Sequence, residues 1–109
     1  MDVRHPGEHS AIIDIAGELT GDSEATLAEA HETASRPGVR LVALNFSGLE
    51  YMNSTGIGLL VTMLIRAQRQ GQRMVAYGLD DHYRQIFGLT RLDEAITIAE
   101  SETDALAAA

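Results

Sequence analysis

The sequence lacks cysteine and lysine, and it has no long uninterrupted apolar run. Without cysteine there can be no disulfide, no thiolate metal site and no thiol nucleophile. The longest apolar run, 57–65, is interrupted by Gly58 and Thr62 and is too short to span a bilayer. The first ten residues contain no apolar segment of the kind that a secretory signal carries, so we expect a cytoplasmic protein.

Acidic residues outnumber basic ones, which gives the chain a formal net charge of −8. Residues 1–35 carry eight acids and one base, residues 36–91 carry three acids and seven arginines, and residues 92–109 carry five acids and no base. An acidic chain without a basic run is repelled by nucleic acid and by anionic membranes. We therefore expect neither of these as a partner.

Short apolar runs alternate with helical segments over 109 residues, the length of one domain. The pattern predicts strands near 11–16, 39–46, 74–77 and 95–98, and helices near 22–35, 54–70, 80–87 and 101–106. The run 39–46 is almost continuously apolar, as expected for a strand buried on both faces at the centre of a sheet. This alternation predicts an α/β domain in which about four helices pack on a mixed, largely parallel sheet of four to five strands.

Three polar residues, Asn53, Ser54 and Thr55, lie where a strand gives way to the longest helix. Ser54 or Thr55 is predicted to be the N-cap, because hydroxyl groups satisfy the free N–H groups of a first helical turn. Such a terminus also favours negative charge, so a phosphate on Ser54 could be held there without unfolding the helix.

Helical spacing divides the residues of this long helix between two faces. The predicted core stripe consists of Ile57, Leu60, Val61, Leu64 and Ala67. Leu59 is predicted to lie almost opposite that stripe and Met63 at its flank, where they would form a binding patch one turn from Ser54. The glycines at 56 and 58 leave the backbone bare, so another protein could approach it closely.

Other chemistries find little support in the sequence. His5 and His9 have a metal-ligand spacing, but they flank Pro6–Gly7 in a predicted irregular hairpin, so no metal site is expected. The segment 52–56 lacks the first glycine of a hydrolase nucleophile elbow. No glycine-rich nucleotide-binding motif is present.

Two segments, 44–49 (LNFSGL) and 52–58 (MNSTGIG), resemble the central signature of the STAS domain, specifically that of bacterial anti-sigma factor antagonists. The resemblance continues in the GEL turn at 17–19, in the strand after the long helix at 71–75, and in 83–87 with the loop that follows. It covers nearly the whole chain and implies a STAS-like fold, with one STAS domain over residues 1–109.

The resemblance implies a regulatory binding protein that is not an enzyme and needs no cofactor. In its unphosphorylated form it would bind an anti-sigma factor that is also a serine kinase of the histidine-kinase-like ATPase type, and so free a sigma factor. The kinase would phosphorylate Ser54, with Thr55 as the fallback acceptor, and a PP2C-type phosphatase would reverse the step. The expected partner-contacting residues are Asn53, Ser54, Thr55, Gly56, Leu59, Met63 and Glu18.

The sequence departs from the usual family pattern at two asparagines. Asn53 stands where the family usually has Asp before the phosphorylated serine, and Asn45 stands where it often has Asp. Asn53 keeps open an alternative function, that of a STAS subunit that is never phosphorylated and belongs to a signalling scaffold or a lipid-transport complex.

Overall fold

The computed structural model describes residues 1–108 as seven β-strands, five α-helices and one short 3-10 helix. In chain order these are β1 (Asp2–Gly7), β2 (Ser10–Asp14), β3 (Gly17–Leu19), the 3-10 helix (Gly21–Ser23), α1 (Glu24–Ala34), β4 (Leu41–Asn45), β5 (Leu49–Met52), α2 (Ser54–Arg69), β6 (Arg73–Tyr77), α3 (Asp81–Leu89), α4 (Leu92–Ala95), β7 (Thr97–Ile98) and α5 (Glu102–Ala107). In this part of the chain no helix combines the length and the apolar character needed to cross a membrane.

The main sheet has five strands in the order β1, β2, β4, β6 and β7. β1 is antiparallel to β2, and the other neighbouring pairs are parallel, so the predicted mixed, largely parallel sheet is confirmed. β1 and β2 form the predicted irregular hairpin, whose register shifts between Arg4 and Gly7. From β2 to β7 each new parallel strand of the main sheet is added at the same edge. Right-handed crossovers therefore place the connecting helices on one face of the sheet.

Helices α1 to α4 pack on that face and bury the larger core. Strand residues such as Ile13, Val42 and Leu44 meet helix residues such as Leu60 and Phe87, all of them almost completely buried. The near-continuous apolar run of β4 is explained by its central position, since its side chains alternate between this core and a second one on the opposite face.

The opposite face of the sheet is covered by the short helix α5. Its Ala105 packs on the smaller core, whose strand residues are Ile12, Leu41, Ala43, Val75 and Tyr77. A cluster of polar side chains holds the start of α5 against the sheet by hydrogen bonds and ion pairs. The Arg4 guanidinium donates to Asp14 at 2.8 Å and to Glu102 at 3.0 Å. The Tyr77 hydroxyl also donates to Glu102, at 2.9 Å.

The environment of this cluster shifts the pKa values of its members. Burial, together with the neighbouring Glu102 carboxylate, raises the pKa of Tyr77 to about 12. The hydrogen-bonded Arg4 guanidinium lowers the pKa of Asp14. Hydrogen bonds from Tyr77 and Arg4 likewise lower the pKa of Glu102. At neutral pH Asp14 and Glu102 are therefore ionised and Tyr77 keeps its proton, which is the state in which all of these hydrogen bonds can form.

Two features were not predicted from the sequence. β3 and β5 form a separate two-stranded parallel sheet, and the one-turn helix α4 follows a left-handed residue, Arg91, at φ 60°. Both depend on tertiary placement, because β3 has only three residues and its partner strand lies about thirty residues away along the chain.

Candidate functional site

The start of α2 is held against the small β3–β5 sheet. The Asn53 N–H donates to the Leu19 carbonyl at 3.3 Å. Gly56 is buried and lies so close to β3 that a Cβ atom on it would collide with the same carbonyl. Gly56 is therefore approached by the chain's own backbone, and the prediction that another protein could reach the backbone there was wrong. The contact makes the GEL strand and the start of α2 one packed unit.

Asn53 is the N-cap of α2, so the prediction of Ser54 or Thr55 at that position was wrong. The Asn53 backbone is extended, its side-chain oxygen accepts the Gly56 N–H at 2.9 Å, and its carbonyl accepts the Ile57 N–H at 3.1 Å. An asparagine serves this purpose as well as an aspartate does, because the cap requires only the side-chain oxygen.

Ser54 is the first residue of α2 and is exposed. Asn53 provides the cap, and within residues 1–108 the Ser54 hydroxyl makes no hydrogen bond. The first turn of α2 contains no acidic residue, whereas Arg66 and Arg69 lie in its last turn. The positive end of the helix dipole is therefore not neutralised by an acidic side chain of that turn.

Two further predicted residues lie near Ser54 and are also exposed. Thr55 follows it in the helix and lies beside Gly21 of the 3-10 helix. Glu18 lies on β3 directly across from Tyr51 of β5, and the side chain of Tyr51 is 49% exposed. The structure therefore brings Glu18, Ser54 and Thr55 to the same end of the domain.

The predicted faces of α2 are rotated by roughly 50° from the observed ones. The buried residues are Gly56, Leu60, Met63, Leu64 and Ala67. Val61, predicted to be in the core, is 38% exposed, and Met63, predicted to lie at the surface, is 3% exposed. The close contact between Gly56 and Leu19 explains the difference, because it determines which side of the first turn faces the sheet.

In the observed orientation of α2, Ser54 lies at the end of an exposed stripe along the helix. We call this the α2 stripe, and it consists of Ser54, Gly58, Val61 and Ile65. These residues recur every three to four positions and therefore share one side of the helix. Ile65 is 44% exposed, and Gly58 has open space where a side chain would be. Sequence reasoning missed Val61 and Ile65. The available signal was that α2 has more apolar residues than one buried face can hold.

Leu59 and Met63 line a depression between α1 and α2, which we call the α1–α2 groove. Its volume is about 200 Å³. Leu59 is half-buried and contacts the core, so it does not lie opposite the buried face as predicted. The groove is bordered by two residues of opposite charge, Glu24 on α1 and Arg66 on α2.

A family model described as "Mlab, STAS domain" matches residues 1–100. The chain belongs to the STAS domain family. This STAS domain is similar to the anti-sigma-B factor antagonist of Staphylococcus aureus (strain NCTC 8325 / PS 47), with 26% identity over 81% of this chain and 82% of the relative. It is 27% identical to the anti-sigma-B factor antagonist of Listeria monocytogenes serovar 1/2a, over 81% of this chain and 77% of the relative.

Solved structures share the fold of this STAS domain. The anti-sigma factor antagonist SpoIIAA in its unphosphorylated form superposes with a TM-score of 0.74 at 17% identity, covering 98% of this chain and 94% of that one. The phosphorylated form of SpoIIAA, a Bacillus cell fate determinant, superposes with a TM-score of 0.69 at 20% identity, covering 98% and 96%. The predicted STAS-like fold is confirmed.

The second asparagine of this STAS domain, Asn45, has a structural role at the end of β4. Its amide nitrogen donates to Asp14 at 2.8 Å, and its side-chain oxygen accepts the Ser47 N–H at 3.0 Å. An aspartate here would place two carboxylates together, which is unfavourable. The identity of residue 45 is thus explained by its contact with Asp14.

Proposed function

We propose that this STAS domain is an anti-sigma factor antagonist controlled by phosphorylation of Ser54. Unphosphorylated, it binds an anti-sigma factor that is also a serine kinase of the histidine-kinase-like ATPase type, and a sigma factor is released. Phosphorylation of Ser54 ends the complex, and a PP2C-type phosphatase restores it. The names of its relatives in Staphylococcus and Listeria support the role, and the SpoIIAA structures in two phosphorylation states support the switch.

The observation that carries the proposal is the placement of Ser54. Its hydroxyl is exposed, has no hydrogen-bond partner within the described residues, and begins the α2 stripe. A kinase can therefore reach the hydroxyl without unfolding the domain, and the added phosphate would lie at the edge of an apolar contact surface. Thr55 is the fallback acceptor, because it is the other exposed hydroxyl of the first turn.

The physical basis of the switch is the cost of burying charge. A phosphate adds roughly −1.5 to −2 charges. In free solution the positive N-terminus of α2 stabilises it, so the folded domain tolerates the modification. In a complex that covers the α2 stripe the same phosphate would be desolvated. Without a partner cation this desolvation costs several kcal/mol, enough to dissociate a complex of micromolar affinity.

The structure revises which predicted residues we assign to the contact surface. Glu18, Ser54 and Thr55 stay in the proposed interface, and Gly58, Val61 and Ile65 join them. Asn53 and Gly56 position Ser54, since one caps α2 and the other packs on β3. Leu59 and Met63 line the α1–α2 groove and are not part of the α2 stripe.

The test is a phosphorylation assay with ATP and Mg²⁺ against each histidine-kinase-like anti-sigma factor of the same genome, read by mass spectrometry. We expect one of these kinases to add a single phosphate to Ser54. The Ser54→Ala variant should bind that kinase constitutively, with or without ATP, and the Ser54→Asp variant should bind it poorly. Equal binding by both variants would contradict the switch.

A second candidate function is the unswitched STAS subunit of a signalling scaffold or a lipid-transport complex. The departure at Asn53 favours it, because the residue before Ser54 lacks the negative charge usual in the family. In that case a partner would bind, no kinase would modify Ser54, and Ser54→Asp would bind as well as Ser54→Ala.

A further inference from the structure

The α1–α2 groove is a preformed, partly apolar depression that the proposed switch does not use. Its apolar walls are formed by Leu27, Ala28, Leu59 and Met63, with His31 and Thr62 beside them. Leu27 and Met63 are 2% and 3% exposed, so the groove reaches down to the main core. The His31 ring is held in place by Gln72, whose side-chain oxygen lies 2.8 Å from its Nε2 atom.

The size of the groove limits what it can hold. Pockets for drug-sized ligands typically measure roughly 300–1,000 Å³. A dry cavity of about 150 Å³ holds one benzene molecule. At about 200 Å³ this groove fits one large side chain and is too small for a nucleotide or an extended cofactor.

The groove is continuous with the α2 stripe. They meet at Thr62, which lines the groove, follows Val61 in the helix and donates its hydroxyl to the Gly58 carbonyl at 3.1 Å. A protein that covers the stripe must therefore pass over the rim of the groove. Interfaces of this kind concentrate their affinity in a few large side chains inserted into pockets.

We infer that the α1–α2 groove receives one large apolar side chain, Leu, Met or Phe, of the same anti-sigma factor that covers the α2 stripe. This inference rests on the proposed function. It separates two tasks within one interface: the groove supplies affinity in the unphosphorylated state, and Ser54 supplies the switch.

Charge around the groove indicates which partner residues surround that side chain. α1 and α2 follow strands of the same parallel pair, so they run in the same direction, and Glu24 lies at the end of the groove nearer to Ser54. Asp22 and Glu18 lie on the neighbouring 3-10 helix and β3. Glu24 forms no ion pair within residues 1–108. A partner cation at this end would stabilise a phosphate on Ser54, so we expect the complementary charge at the other end, where an acidic residue of the partner beside the inserted side chain would pair with Arg66.

The first experiment fills the groove. Ala28→Phe places a ring in it from α1, and Thr33→Phe, a matched control, adds the same ring on the other side of α1, where Thr33 is exposed beside Asp2 and Val3. We expect Ala28→Phe to weaken binding of the unphosphorylated domain to the anti-sigma factor by about 30-fold. In the kinase assay KM should rise while kcat stays within about twofold, because Ser54 and its cap are unchanged. Thr33→Phe should change neither. Equal affinities for the two variants would overturn the inference.

A second experiment leaves the groove unfilled and exploits the absence of cysteine. Ala28→Cys, Val61→Cys and Thr33→Cys each introduce one thiol, whose reaction with N-ethylmaleimide is timed with and without the anti-sigma factor. We expect the partner to slow labelling at 28 and 61 at least tenfold and to leave 33 unaffected.

The outcomes separate this inference from the proposed function. Protection at 61 without protection at 28 would leave the proposed interface in place and overturn the inserted side chain. Protection at 28 that appears without the partner, as the domain concentration rises, would assign the groove to a second copy and would also overturn it. If no anti-sigma factor binds the domain or protects either thiol, both proposals fail together.

Discussion

The two long faces of α2 differ in what determines their residues. On the buried face Leu60 and Ala67 have no exposed surface, and Gly56 has room only for hydrogen. On the α2 stripe, Val61 and Ile65 are about two-fifths exposed, and Gly58 faces open space. Packing therefore explains the first set of residues and leaves the second set unexplained. Apolar side chains that packing does not require are the ones to examine for a partner.

The largest expected difference between the faces concerns large-to-small substitutions. Leu60→Ala should lower the free energy of unfolding by about 3 kcal/mol, because it leaves a cavity in the core. Val61→Ala, one residue further on, should change it by less than about 0.5 kcal/mol. Urea denaturation of the two variants measures both values. Similar losses would mean that the assignment of the two faces is wrong.

The two glycines should respond to alanine with opposite signs. Gly56→Ala should destabilise the domain by about 2 kcal/mol, because the new methyl group meets the Leu19 carbonyl and must push α2 away from β3. Gly58→Ala should stabilise it by up to about 1 kcal/mol, because alanine favours the helix and nothing obstructs it. Thermal unfolding of the pair is the measurement, and a destabilised Gly58→Ala variant would contradict the open environment of Gly58.

The stripe should affect binding more than folding. We expect the double variant Val61→Ser, Ile65→Ser to bind the anti-sigma factor about tenfold more weakly, a loss of about 1.4 kcal/mol. Its unfolding midpoint should stay close to that of the parent, since both side chains are already partly exposed. Titration calorimetry and urea denaturation of the same samples separate the two effects. Unchanged affinity would exclude the stripe from the interface.

The smallest expected change in stability comes from Asn53, the N-cap of α2, where the buried face and the α2 stripe both begin. Asn53→Asp should keep the hydrogen bond to the Gly56 N–H and gain a few tenths of a kcal/mol from the helix dipole. Asn53→Ala, its control, should lose about 1 kcal/mol. Denaturant midpoints distinguish these outcomes. A large gain from Asn53→Asp would show that the asparagine is not an equivalent cap.

Much of the fold could be predicted because its signals are local. The almost continuously apolar run at 39–46 and the helical segments on either side of it predict a parallel α/β pattern without reference to distant residues. The cap could not be predicted, because three consecutive residues, 53 to 55, can all cap a helix, and the contact of Asn53 with Leu19 decides among them. The faces of α2 were misassigned for a related reason. The Gly56 contact with β3 joins residues far apart in the chain, and a helical wheel does not contain it.

The placement of α5 has a consequence for how the chain is synthesised. All seven strands leave the ribosome before α5 does, so the sheet can form while Ile12, Leu41 and Val75 on its second face are still uncovered. During that interval the nascent domain presents an apolar surface to chaperones and to other nascent chains. A pause in synthesis that holds α5 inside the ribosome after β7 has emerged would prolong this exposure, whereas during a pause before β6 has emerged the face is not yet assembled.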